Sequence, residues 1–282
     1  MATSDATEDA DARQQDEFAP QSKILLAAQD IADGLSDSWM WLELAIRDIK
    51  NRYRGSILGP FWFALSTALQ LCVIGFIYTN LLNVEPATYI PYLGIGLVIW
   101  QFISSTLTGG CQTFIGSEGI MQQARLPLSL HAFRLVCRQM LIFAHTCLLI
   151  PLIMLLYGVS LPWTAVLAIP GVVMLAFNAL WVSILFGMAS ARFRDIPPIV
   201  ASLMQVAFFI TPIFWFPDRM GQWETMVQLN PLYTQIDVIR APLLGVPIAE
   251  YSWPILIGLT IIGSLMTFLL FARYRPRIVF WT

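Results

Sequence analysis

Asp237 and Arg240 stand three residues apart in the otherwise apolar stretch IDVIRAPLL. On a helix that spacing lets a carboxylate and a guanidinium pair on one face. An arginine at the edge of a membrane is expensive unless it is paired or functional. The two residues therefore read either as a local ion bridge or as part of a gate. His131 and His145 are solitary; the first reads as an interfacial polar residue, the second as a buried, hydrogen-bonded one. Four cysteines, Cys72, Cys111, Cys137 and Cys147, lie in or beside apolar segments without Cys-x-x-Cys spacing, and read as packing residues.

Other chemistry is excluded by what the sequence lacks. No Gly-x-x-x-x-Gly-Lys-Ser/Thr occurs, and Lys23 and Lys50 are the only lysines, so no phosphate-cradling nucleotide loop is expected. There is neither a His-Glu-x-x-His nor a Gly-x-Ser-x-Gly, which leaves the enzyme reading weak. No carboxylate falls inside the expected hydrocarbon core, which argues against a proton- or sodium-coupled carrier. No metal site and no nucleic-acid partner are expected.

The elements that must position these residues follow from composition. Of the 282 residues, 57% are hydrophobic and 12% charged, about half the charge of a soluble domain. Between Gly55 and Gly116 Glu85 is the only Asp, Glu, Lys, Arg or His, and such a stretch can cross a bilayer twice. The net charge of −2 conceals an acidic leader: residues 1–22 carry Asp5, Glu8, Asp9, Asp11, Asp16 and Glu17 against Arg13. That leader lacks the apolar core of a signal peptide, and its polar make-up predicts disorder.

The spacing predicts a short helix over 24–35, then an amphipathic helix over 37–54. In the second, Trp39, Leu42, Ile46, Ile49 and Tyr53 recur on one face, with Arg47, Lys50, Arg52 and Arg54 among the charges elsewhere. A helix of this kind lies in the membrane interface. Residues 23–55 thus form a cytoplasmic or interfacial segment, and 56–282 a six-span domain. Spans are expected over 58–82, 90–115, 133–157, 163–191, 197–216 and 253–271. The segment 217–251 is too polar to span and carries Pro231, Pro242 and Pro247; two short helices, over 222–229 and 232–243, fit it. Lys and Arg alternate between the connecting segments so that both termini are expected in the cytoplasm. Aromatics crowd the first, second and fifth spans, among them Phe61, Trp62, Trp100, Phe208 and Phe209. They form either interfacial belts or the wall of a conduit, since sugar rings stack on aromatic faces.

Several segments together resemble ABC-2 type permeases that export polysaccharides: RYRGSILGPFW over 52–62, ARFRDI over 191–196, NPLY over 230–233 and RAPL over 240–243. The resemblance spans about residues 38 to 282 and is nearest to the Wzm-like O-antigen and galactan exporters. It implies a homodimer in the bacterial inner membrane, coupled to two separate ATPase subunits that carry ATP and Mg²⁺, with no cofactor on this chain. It further implies an undecaprenyl-pyrophosphate-linked glycan as substrate, with the pyrophosphate drawn by Arg47, Lys50, Arg52 and Arg54, residues that equally serve as positive-inside anchors. The link 116–129 then corresponds to a coupling helix, with Glu118, Gln122, Gln123 and Arg125 as contacts. The broken helices before the last span form a re-entrant periplasmic gate that includes Asn230, Pro231, Asp237 and Arg240. Two other readings stay open: an ABC-2 exporter of drugs or lipids, and a membrane-embedded transferase using a polyprenyl-phosphate donor.

Overall fold

The computed structural model describes residues 23–282, apart from 60 and 125 and the side chain of residue 82. The expected acidic leader, residues 1–22, and Arg125 lie outside the described residues. The described chain is helical, with no strand. Its α-helices are α1 (Lys23–Ser36), α2 (Ser38–Arg52), α3 (Phe61–Leu82), α4 (Pro86–Gly110), α5 (Glu118–Gln123), α6 (Leu128–Cys147), α7 (Leu149–Leu156), α8 (Ala168–Arg192), α9 (Ile196–Ile210), α10 (Glu224–Gln228), α11 (Pro231–Leu244) and α12 (Ser252–Trp281). Single 3₁₀ segments precede α5, α8 and α10.

Five of these are long and apolar enough to cross a membrane: α3, α4, α6 with α7, α8 with its leading turn, and α12. The chain is a multi-pass integral membrane protein. α4 is the central helix, packed against α3, α6, α8, α9 and α11. Tyr89, Leu93, Ile95, Leu97 and Ile99 along it are all buried. A second core, built on Ala27, Phe114, Ile184, Phe271 and Ile278, joins α1, α6, α8 and α12 at one end of the bundle.

The span borders differ from expectation for identifiable reasons. α4 starts at Pro86, because proline is at home in a first turn. α6 starts at Leu128, five residues early, because a carboxylate from another helix caps it. Asp30 of α1 accepts the N–H groups of Leu128 (3.1 Å) and Ser129 (2.9 Å), donors that a helix start leaves unpaired. The ladder breaks at Leu148, where Pro151 offers no N–H to the preceding turn. α12 continues ten residues past the apolar run, because Phe271, Ala272 and Ile278 are buried against α1 and its neighbours. Arg275 also binds the Asp30 carboxylate at 2.7 Å. The start of the described chain and its C-terminal turns therefore meet at one end, called here the α1 end.

The expected fifth span is the largest departure. α9 has 15 residues, about 22 Å at 1.5 Å per residue, short of a hydrocarbon core of about 30 Å. It stops at Ile210 because Pro212 disfavours helical geometry at Thr211 and brings no N–H. Residues 211–216 follow in irregular backbone. α11 ends on Gly245, whose left-handed φ of 71° lets its N–H and that of Val246 close back on Ala241 and Pro242.

Candidate functional site

Irregular backbone inside a membrane protein must have its polar groups satisfied by protein, and the 211–216 segment meets that demand with three side chains. Tyr89 and Tyr92 lie one turn apart on α4. The Tyr89 hydroxyl donates to the Phe214 carbonyl at 2.7 Å, and the single proton of the Tyr92 hydroxyl is shared between the carbonyls of Trp215 at 2.9 Å and Pro212 at 3.2 Å. Arg240 of α11 reaches across and donates from Nη1 to the Pro212 carbonyl at 2.9 Å. Its guanidinium carbon lies 3.8 Å from the centre of the Tyr92 ring. Gly96 makes this approach possible: a Cβ there would stand 3.2 Å from Arg240 Nη1 and 3.3 Å from the Ile213 carbonyl.

Asp237, one turn earlier, does not pair with Arg240; the local ion bridge allowed by their spacing does not form. The carboxylate accepts from Ser252 Oγ (2.6 Å), the Ala249 N–H (2.9 Å) and the Tyr233 hydroxyl (3.2 Å). Each charge is buried and separately satisfied: Asp237 fastens α11 to the start of α12, and Arg240 fastens it to the broken end of α9. Asn230 caps α11 by accepting from Leu232 N–H and donates from Nδ2 to Thr211. Pro231 occupies the first turn of α11. A cavity of about 670 Å³ opens at this end, lined by Tyr92, Phe216, Tyr233, Asp237 and Arg240, with Asp218 among its polar walls. This is the α11 end of the bundle.

An aromatic row leads away from it. Tyr78 meets Phe214 at 5.2 Å between ring centres, Phe214 meets Phe208 at 5.5 Å and Phe209 at 6.0 Å, and Phe208 meets Trp100 at 5.8 Å. Phe209 is 65% exposed, whereas Trp100 is buried behind Phe208. Phe61 and Trp62 sit apart from this row, exposed at the start of α3; the rings of Phe61 and His145 meet near-perpendicularly at 5.5 Å.

The α1 end holds the remaining expected residues. Arg47 pairs with Glu43 at 2.8 Å on the outer face of α2, and Lys50, Arg52 and Arg54 are exposed. Burial pushes the Tyr53 phenol above its ordinary range, the Arg52 charge beside it opposing that shift. The face of α2 that meets the protein lies beside the expected interfacial stripe: Trp41, Ala45 and Asp48 turn towards α6, while Trp39 of the stripe is 77% exposed. Asp48 receives Arg134 through two nitrogens and Arg138 at 3.2 Å. His131 beside them is buried within the protein, and Cys72 is exposed rather than packed. In the 116–129 link, Glu118 accepts from Gln122 at 3.1 Å, and Gln122 and Gln123 are exposed on α5, which touches α12. The 192–195 link lies at the same end, where Arg194 donates to the carbonyls of Trp281 and Thr282.

Asp48, Arg134, Arg138, Tyr89 and Tyr92 were not singled out as site residues from sequence. Their available signals were slight: an acid one turn from Ala45 and two turns from Trp41, and two hydroxyls one turn apart in an apolar run.

A family model described as "ABC-2 type transporter" matches residues 41–244. An O-antigen export system permease protein RfbA from Klebsiella pneumoniae is 28% identical over 195 residues, covering 67% of this chain and 74% of that protein. Another so described, from Myxococcus xanthus, is 26% identical over 205 residues, covering 71% and 78%.

Proposed function

Because the chain belongs to the ABC-2 type transporter family, we propose that it is the membrane subunit of an exporter carrying a lipid-linked polysaccharide, such as an O antigen or a cell-wall galactan, outward across the bacterial cytoplasmic membrane. The observation that carries this reading is the aromatic row from Trp100 to Tyr78, which runs beside an exposed face of α9 towards the polar cavity at the α11 end. Aromatic faces accept the C–H faces of sugars without fixing one residue in place, which suits a polymer that must slide. The names of the Klebsiella and Myxococcus relatives point the same way.

The chain crosses the membrane six times in this reading. The Asp30–Arg275 contact joins the described start to the C-terminal turns at one end, which supports an even number of crossings. With five long helices, α9 and the held segment after it supply the sixth. Arginines at 192, 194, 273, 275 and 277 make the α1 end the cytoplasmic one. α11 is then the re-entrant element of a periplasmic gate, with Asn230, Pro231, Asp237 and Arg240 as its fastenings. The exposed apolar faces of α3 and α9 receive a second copy of the chain, which closes the conduit. Two ATPase subunits, holding ATP and Mg²⁺, dock at the 116–129 link through Glu118, Gln122, Gln123 and Arg125.

Deleting the gene in its host should abolish surface glycan and leave lipid-linked polymer on the cytoplasmic side, with restoration by the wild-type chain only. Unchanged surface glycan in the deletion strain sinks the proposal.

A further inference from the structure

Five of the buried polar side-chain atoms that lack a protein partner among the described residues belong to four side chains that line one small cavity at the α1 end. They are Thr113 Oγ1, both ring nitrogens of His131, Arg134 Nη1 and Arg138 Nε. The cavity, of about 110 Å³, equals the liquid volume of roughly four waters and suits one phosphoryl group. Two guanidiniums face it and share a single carboxylate, Asp48, so the cluster keeps one uncompensated positive charge. Its arginine side chains are 17% and 21% exposed, enclosed yet reachable. The exposed residues Arg47, Lys50, Arg52 and Arg54 offer no such enclosure, and Arg47 is already paired.

We infer that Arg134 and Arg138, with His131 and Thr113 behind them, form a binding site for the phosphate of a membrane-anchored anion, held closed by Asp48 of α2 in its absence. Paired arginines present forked donors that match phosphate oxygens as they match a carboxylate. Asp48 therefore occupies the place of the ligand, and an arriving phosphate displaces it and loosens α2 from α6. The assignment of that phosphate to a lipid-linked glycan rests on the proposed function; the site itself does not.

The test uses the full-length chain in neutral phosphatidylcholine nanodiscs, titrated with a short polyprenyl pyrophosphate and followed by tryptophan fluorescence, with the matching polyprenyl alcohol as control. The pyrophosphate should bind at least about tenfold more tightly than the alcohol, and Arg134→Gln or Arg138→Gln should weaken it by about tenfold, the loss of one charge-assisted hydrogen bond. Asp48→Asn should bind it several-fold more tightly, because a competing anion has been removed. A purely structural ion pair predicts the opposite, weaker or unchanged binding in Asp48→Asn, and that result, or equal binding of the alcohol, overturns the site. Should the arginine variants fail to fold, Asp48→Asn and the alcohol decide alone. If phosphatidylglycerol displaces the probe at equal concentration, the site serves ordinary headgroups and the substrate assignment falls. Loss of export on gene deletion with a failed Asp48→Asn result would sink the site and keep the proposed function; intact export with the expected binding would do the reverse.

Discussion

Arg240 and Asp237 show how two buried charges in a membrane protein are kept without pairing. Each is enclosed by groups from a different element, so removing either releases a different contact. Arg240→Ala loses a charge-assisted bond to Pro212 and the stacked Tyr92 ring, a cost of about 3 kcal/mol or more. The expected outcome is a clear fall in thermal unfolding temperature in detergent together with loss of export. Arg240→Lys should recover only part of it, since an ammonium lacks the planar fork. Asp237→Asn keeps an acceptor for Ser252 but weakens three donors at once, by ~1–3 kcal/mol, read in the same melt. The sequence made both residues visible, because charge in an apolar stretch is conspicuous. Their partners were not visible, since a backbone carbonyl such as that of Pro212 leaves no mark in a string of residue types.

Elements were legible where length left the chain few alternatives. The runs that became α3, α4 and α8 have few fates other than crossing a bilayer, and their positions follow. The end of α9 was hidden because Ile213, Phe214, Trp215 and Phe216 continue the apolar run after the helix has stopped, and Pro212 is the lone sign of the break. The early start of α6 was hidden for another reason: its cap, Asp30, is supplied by a helix about a hundred positions away. Two predictions belong to this scale. Gly96→Val places a side chain where Arg240 and the Ile213 carbonyl approach, and should abolish export while leaving the protein inserted, as judged by membrane fractionation. Asp30→Ala leaves the first N–H groups of α6 and the Arg275 charge without their partner, at ~3–5 kcal/mol. Hydrogen exchange across α1 and the first turn of α6 should accelerate, with little change in α3.

For the whole molecule, the arrangement of crossings is the property most open to direct measurement. In a background without the four native cysteines, single cysteines at Ser160 and Met220 should react with a membrane-impermeant maleimide in intact cells. One at Gly119 should react only after permeabilisation. Labelling of Gly119→Cys from outside would reverse the orientation, and would move the coupling link and the arginine cluster to the wrong side for their proposed partners. The distribution of arginine in the sequence is what the expected orientation rests on, because insertion itself responds to those charges. The closing of the bundle at its α1 end was not readable, since it depends on contacts between the two extremes of the described chain.

That closure also sets a clock on biosynthesis. Arg275 follows Asp30 by 245 residues, so at about 5–20 residues per second it emerges roughly 12–50 s later. Until then the α1 carboxylate waits for its counter-charge, and the joint among α1, α6 and α12 stays unsealed. A chain cut short before position 275 lacks the counter-charge of Asp30 and leaves that joint incomplete.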